Sequence, residues 1–253
     1  MSGNRIGRRH ALGILGAGFG TALLGACADD GGTDTATGSS ASTDGASTPT
    51  SGAPSGGAQT PADFDDAASC TVTPEQTEGP YYLDVDKIRG DIREDREGAE
   101  LEIAVRVMDA DGCTPIKDAV FDIWHADASG DYSGFDGSAA PGASTTGSRY
   151  LRGAQITDAD GMAKITTIFP GWYSGRTPHI HAKVFISNAE VLTTQLYFDE
   201  TATAEAYELA PYAQRGNPDQ SNRSDRIFDQ RNVMTVSRDG NRFIGRMTIA
   251  VQR

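Results

Sequence analysis

Basic clusters, long apolar runs and metal-binding side chains are all scarce in this sequence. Lys and Arg number 22 against 35 Asp and Glu, a formal net charge of −13, and no basic cluster stands in the part that can fold. That excludes nucleic acid and anionic lipid headgroups as partners of the folded part and leaves solubility as the main effect of the acidity. Mean hydropathy is −0.41, and the only long apolar run, Ala11 to Ala26, is glycine-rich and too short to span a bilayer. Histidines number four and cysteines three, so any catalytic or metal centre must draw on few residues. No repeat recurs at solenoid or propeller spacing.

What is present divides the chain into three parts. Arg8 and Arg9 stand directly before the apolar run, and Leu24-Gly25-Ala26-Cys27 ends it. Residues 1–27 therefore read as a twin-arginine export signal with a lipobox, in which small residues admit the processing peptidase and Cys27 becomes a lipid anchor. The protein is expected outside the cytoplasm, tethered to a membrane or cell surface. Residues 28–62 are almost entirely Gly, Ser, Thr, Ala, Asp and Pro, too poor in apolar surface to offset their ordering entropy, and read as a flexible tether. Residues 63–253 remain as the single folding domain. The other two cysteines, Cys70 and Cys113, are expected to pair in an oxidising compartment, the alternative being two separately buried thiols.

This domain punctuates like an all-β protein. In Leu101 to Val107 the apolar Leu101, Ile103, Val105 and Val107 share one face, with Glu102 and Arg106 on the other. Further strands are expected at Val120 to Trp124, Gln155 to Thr157, Met162 to Ile168, His179 to Ile186, Val191 to Phe198 and Arg242 to Val251. Asp158-Ala159-Asp160-Gly161 reads as a hairpin connection between Gln155 to Thr157 and Met162 to Ile168. Glu205 to Tyr212 reads as a short helix, and no long amphipathic helix competes for the core. The architecture expected is a β-sandwich with long loops around one end.

His179 and His181 open a predicted strand two residues apart, so alternation turns both imidazoles to one face, within reach of a single metal ion. Just before them, Phe169-Pro170-Gly171-Trp172-Tyr173-Ser174-Gly175-Arg176 delivers a tyrosine and an arginine, and Ser129-Gly130-Asp131-Tyr132-Ser133-Gly134 delivers a second tyrosine. Two phenols and two imidazoles suit iron, because a hard, highly charged cation stabilises phenolate far below the free tyrosine pKa of about 10. His125 has no such company and reads as structural. Asp131 reads as a solvated loop acid and Tyr82 as a packed ring.

These blocks resemble the intradiol ring-cleavage dioxygenase family, which includes catechol and protocatechuate dioxygenases, and especially its smaller secreted members. The resemblance covers about Cys70 to Val251. It rests on Thr73-Pro74-Glu75-Gln76-Thr77-Glu78-Gly79-Pro80-Tyr81-Tyr82, on Ile123-Trp124-His125-Ala126-Asp127 leading to Gly130-Asp131-Tyr132, on Leu151-Arg152-Gly153 with Thr157-Asp158, and on Pro170 to His181. It implies Fe(III) held by Tyr132, Tyr173, His179 and His181, with Tyr173 the tyrosine displaced by substrate. It implies Arg176 and Gln195 as further active-site residues, and opening of catechol-type diols with O2 to cis,cis-muconate-type diacids. Only two residues separate Tyr173 from Arg176, where larger intracellular relatives carry a longer loop, so the pocket roof is reduced. The helical dimerisation segment of the catechol dioxygenases has no counterpart, and the resemblance does not extend to that dimer. Two other readings compete: a non-catalytic β-sandwich binding module on the cell surface, and a two-histidine zinc hydrolase, for which no third ligand stands at motif spacing.

Overall fold

The computed structural model describes residues 64, 70–136 and 144–253. The export signal, Cys27 and the tether expected over residues 1–62 lie outside the described residues.

Alternation of apolar side chains builds two sheets. The first is assembled around β1 (Glu100–Asp109), whose Leu101, Ile103, Val105 and Val107 are all buried in the main core. β2 (Thr114–Pro115) and β5 (Met162–Ile168) pair antiparallel with successive stretches of one edge of β1. On its other edge β1 runs parallel to β9 (Arg242–Val251), which pairs with β8 (Thr235–Asp239). The second sheet has the order β4 (Arg152–Ile156), β3 (Val120–Trp124), β6 (His179–Ile186), β7 (Ala189–Tyr197), antiparallel throughout. Phe121, Ile123, Ile180, Val184 and Leu196 of this sheet share one buried cluster with the apolar face of β1. The fold is thus an all-β sandwich. Each fully buried Ile, Leu, Val or Phe in that interface contributes about 1.5–3 kcal/mol relative to exposure.

Two expectations need correction. The turn Asp158–Gly161 forms, with Gly161 at φ 76° and the Asp158 carboxylate accepting from the Asp160 and Met162 N–H groups at 2.9 Å. Yet β4 and β5 are not a hairpin: β4 pairs with β3 and β5 with β1, so the turn carries the chain from one sheet to the other. A tight turn reverses the chain but does not oblige its arms to pair, and each arm has a longer partner elsewhere. The helix also lies earlier than Glu205 to Tyr212. Asp199 caps it by accepting from the Ala202 N–H at 2.7 Å, so α1 runs Glu200–Tyr207, and Pro211, which has no N–H to donate, separates it from the single turn α2 (Tyr212–Arg215).

Cys70 and Cys113 are joined in a disulfide, Cα atoms 5.3 Å apart and 43 residues apart in sequence. It ties the entry segment to the β1–β2 connection. Loop-closure entropy for that span corresponds to about 4 kcal/mol. The Cys70→Ser, Cys113→Ser double variant is expected to unfold in urea with about 3–4 kcal/mol less stability and a somewhat larger m-value, because the unlinked denatured chain exposes more surface; an unshifted midpoint would show that the link constrains nothing.

Candidate metal and active site

The period-2 alternation of β6 decides where the chemistry sits. Ile180, Ala182 and Val184 enter the core, so His179, His181 and Lys183 stand on the outer face of the four-stranded sheet. The register sets their neighbours on that face: Trp124 of β3 and Gln195 of β7 are opposite His181, and Tyr197 is opposite His179. Trp124 stacks on the His181 ring, centroids 4.9 Å apart and planes 9° from parallel.

Two loops bring the phenols. After β3, the Asp127 carboxylate accepts from the Ser129 and Asp131 N–H groups at 2.9 and 3.1 Å, closing the turn that carries Tyr132. The buried Arg152 guanidinium donates to the Ser133 carbonyl and hydroxyl, fixing the residue after Tyr132. Tyr173 lies in the turn that follows β5, held from behind by the Tyr212 hydroxyl on the Phe169 carbonyl at 2.6 Å and the Tyr207 hydroxyl on the Pro170 carbonyl at 3.1 Å. The loops also touch each other, since the Gly171 N–H donates to the Asp127 carbonyl at 3.1 Å.

All four rings named from the sequence converge. Tyr173 Oη is 3.1 Å from His179 Nε2, which is 3.2 Å from His181 Nε2. The Tyr132 ring centroid is 5.7 Å from that of Tyr173 and 6.0 Å from that of His181. Arg176 Nη1 stands 3.4 Å from both Tyr173 Oη and His179 Nε2, while Nη2 donates to Gln195 Oε1. The Gln195 amide in turn donates to the Thr77 carbonyl at 2.9 Å and accepts from the Tyr197 hydroxyl at 3.0 Å.

The protonation pattern follows from these contacts. His179 Nδ1 is 2.7 Å from the Thr177 carbonyl, which can only accept, so Nδ1 carries the proton and Nε2 turns its lone pair into the site. Burial, reinforced by the Arg176 charge, lowers the His179 pKa to about 3. Burial and then the neighbouring His179 hold His181 well below its usual value. Both imidazoles are neutral at physiological pH. Burial raises both phenols, with Tyr173 adding to the effect on Tyr132 and Arg176 opposing it on Tyr173. Only a strong local positive charge would make phenolates of them. Among the described residues no cluster of three or more His, Cys, Asp or Glu side chains exists, and the protein oxygens nearest this pair of imidazoles include the Tyr173 hydroxyl. The donor set fits a hard, highly charged cation such as Fe(III).

Several contributors carried no assigned role in the sequence. Gly79, at φ 72°, lays the Gly79–Pro80 turn on His181, whose Cε1 would be 3.2 Å from an added Cβ. Tyr81 stacks on Tyr132 at 4.5 Å. Trp124 and Tyr197 follow from alternation once the face of His179 is known. Asp225, 2.9 Å from Arg176 Nε, lies 49 residues away in an irregular stretch, and nothing local in the sequence signals it. His125 stays apart, buried between the Ala126 carbonyl at 2.8 Å and the Thr167 hydroxyl at 2.7 Å, with burial lowering its pKa to about 4; its role is structural. Tyr82 is packed, on Trp124 and beneath Lys183 Nζ. Asp131, expected in solvent, is buried, because the Asp127 turn folds it inward. A separate cavity of about 320 Å³ beside Phe64 and β9 is lined by no histidine, cysteine or carboxylate.

Residues 77–207 match the family described as Dioxygenase, a span that holds all six site residues named above. A curated relative, catechol 1,2-dioxygenase 1 of Acinetobacter lwoffii, is 33% identical over 171 residues, 55% of this chain and 52% of that protein. The chain thus spans about half the length of that relative. Among solved structures, an intradiol ring-cleavage dioxygenase from Tetranychus urticae superposes with a TM-score of 0.68 at 32% identity, over 72% of this chain and 95% of that one. The dioxygenase domain of a carbohydrate-binding fusion protein from Streptomyces sp. SirexAA-E gives 0.56 at 31% identity, over 72% and 99%.

Proposed function

The chain belongs to the intradiol ring-cleavage dioxygenase family, and on that premise we propose that it is a non-haem Fe(III) enzyme opening catechol-type diols between their hydroxyls with O2, to cis,cis-muconate-type dicarboxylates. The observation that carries the reading is the convergence of Tyr173 Oη and the Nε2 atoms of His179 and His181 at 3.1 and 3.2 Å, with the Tyr132 ring beside them.

Tyr132, Tyr173, His179 and His181 would hold the iron. When bound, ferric iron would acidify the two hydroxyls of a catechol and make its ring reactive towards dioxygen. The protein's own residues do the rest. Tyr173 Oη is the less buried of the two phenols and the one touched by Arg176, so it is the oxygen that takes up a proton from the incoming diol. Arg176 Nη1 points at the same place and stabilises negative charge developing on substrate oxygen, an effect worth a few kcal/mol when the donor is preorganised. Gln195 Oε1 holds the guanidinium in that orientation. Trp124, Tyr81 and the Gly79–Pro80 turn cover His181 and Tyr132 and keep bulk water from them.

Export through residues 1–27, with a lipid anchor on Cys27, belongs to the same proposal; a disulfide is in keeping with an oxidising compartment. The test is aerobic purification from iron-supplemented culture, then visible spectra with and without a panel of catechols. A phenolate-to-iron absorption band that shifts with at least one diol, together with oxygen uptake, is the expected result. Iron-loaded protein that stays colourless, or colour that no diol perturbs, overturns the reading.

A further inference from the structure

Residues 219–225 form a strap over the turn that carries Tyr173 and Arg176, and we propose that Asp225 within it is the residue that positions Arg176 for catalysis. The proposal rests on the reading of the site given above. Asp225 lies outside the span 77–207 that matches the family.

The strap is bonded to four consecutive residues of the turn. Asp219 accepts from the Ser174 hydroxyl at 3.0 Å and the Gly175 N–H at 3.2 Å. Asn222 accepts from the Thr177 hydroxyl at 2.8 Å and donates to the Phe198 carbonyl at 2.8 Å, which anchors the strap to the end of β7. Asp225 supplies the charge. Its side chain is 1% exposed, and Oδ2 accepts from both Arg176 Nε at 2.9 Å and the Thr177 N–H at 3.1 Å, while Oδ1 accepts from the Ile227 N–H at 2.8 Å. Three donors, two of them backbone, leave this carboxylate no freedom to follow a moving arginine.

The guanidinium is therefore gripped on two edges. Nε is tied to Asp225 and Nη2 to Gln195, so Nη1 is the remaining edge, and it faces Tyr173 Oη and His179 Nε2. Gln195 is neutral, and the two imidazoles are neutral as well. Asp225 is thus the only carboxylate paired with Arg176 among the described residues. Without it, a cation whose side chain is 14% exposed would have no carboxylate to hold its Nε edge, with solvent the better place for its charge. Asp225 does not touch the reacting atoms; it acts through Arg176.

The test is a double-mutant cycle on the iron-loaded full chain. Asp225→Asn is expected to lower kcat about 100-fold, the order of loss for an active-site group displaced by an ångström, with KM within about threefold and the visible band retained. In an Arg176→Gln background the same substitution is expected to change kcat less than about twofold, because the group it acts through is gone. Asp225→Glu, which keeps the charge but shifts it, is the second variant should Asp225→Asn fail to fold, with the same dependence on Arg176. Losses that multiply across the cycle overturn the proposal. A readout independent of turnover is the Arg176 Nε–Hε resonance of the metal-free protein, assigned by its absence in Arg176→Gln. It is expected to exchange slowly in the wild type and to merge with the solvent-averaged arginines in Asp225→Asn; an unchanged resonance also overturns the proposal. Wild-type protein without colour or turnover, but with this lock intact and broken by Asp225→Asn, sinks the dioxygenase reading and leaves the positioning of Arg176 by Asp225 standing.

Discussion

Replacing Tyr173 by phenylalanine is expected to lower kcat by about 10²- to 10⁴-fold, the range for losing a positioned acid–base group, while iron and a weakened visible band persist. The two phenols are not equivalent. Tyr132 is wholly buried, whereas Tyr173 is partly exposed, and only Tyr173 has Arg176 beside its oxygen, at 3.4 Å. An oxygen that must release its place and carry away a proton needs room to move and a cation to steady it when charged. Phenylalanine keeps the edge contacts of the ring with Tyr132 at 5.7 Å and His179 at 5.5 Å, so packing is preserved and the loss reports on the oxygen alone. Steady-state oxygen uptake with the best diol, beside the visible spectrum, makes the measurement. Turnover equal to the wild type would remove that oxygen from the chemistry.

Different parts of this molecule were legible in the sequence to different degrees, and the difference is physical. Strands β1, β5 and β9 could be read because one face of each is buried and the side-chain period is two. The same period placed His179 and His181 on one face. Pairing partners were hidden. β1 lies parallel to β9, some 140 residues away along the chain, with Glu102 beside Ile244, and no local pattern specifies a parallel neighbour. β8 was missed because both its faces are partly exposed and it lacks alternation. At the site, two imidazoles and two phenols near turn-rich segments made a coherent donor set, but it was the motif blocks resembling the family that singled out Tyr132 and Tyr173 among eight tyrosines. Asp225 carried none: it is one acid among 35 Asp and Glu, and only the folded strap brings it to Arg176.

The separation between the two phenol-bearing loops rests on glycines that let backbone touch backbone, so the largest structural effect is expected at Gly130. Its φ is 87°, and an added Cβ would lie 2.2 Å from the Trp172 carbonyl and 2.6 Å from Arg215 Nη1. The carbonyl belongs to the residue before Tyr173 and cannot swing aside as a side chain would. Gly130→Ala must therefore push the Tyr132 loop and the Tyr173 turn apart, besides bearing the left-handed conformation, which costs an alanine about 1–2 kcal/mol. A total loss of about 3 kcal/mol is expected, a fall in Tm of about 6–12 °C for a domain of this size, together with loss of the visible band as one phenol leaves the other. Gly175→Ala separates the two causes. Gly175 has nearly the same backbone angle, φ 84°, but nothing within 4 Å of an added Cβ, so it is expected to show the conformational cost alone, about 1–2 kcal/mol, with the band retained. Equal losses at the two positions would mean that backbone strain, and not contact between the loops, sets the distance between the phenols.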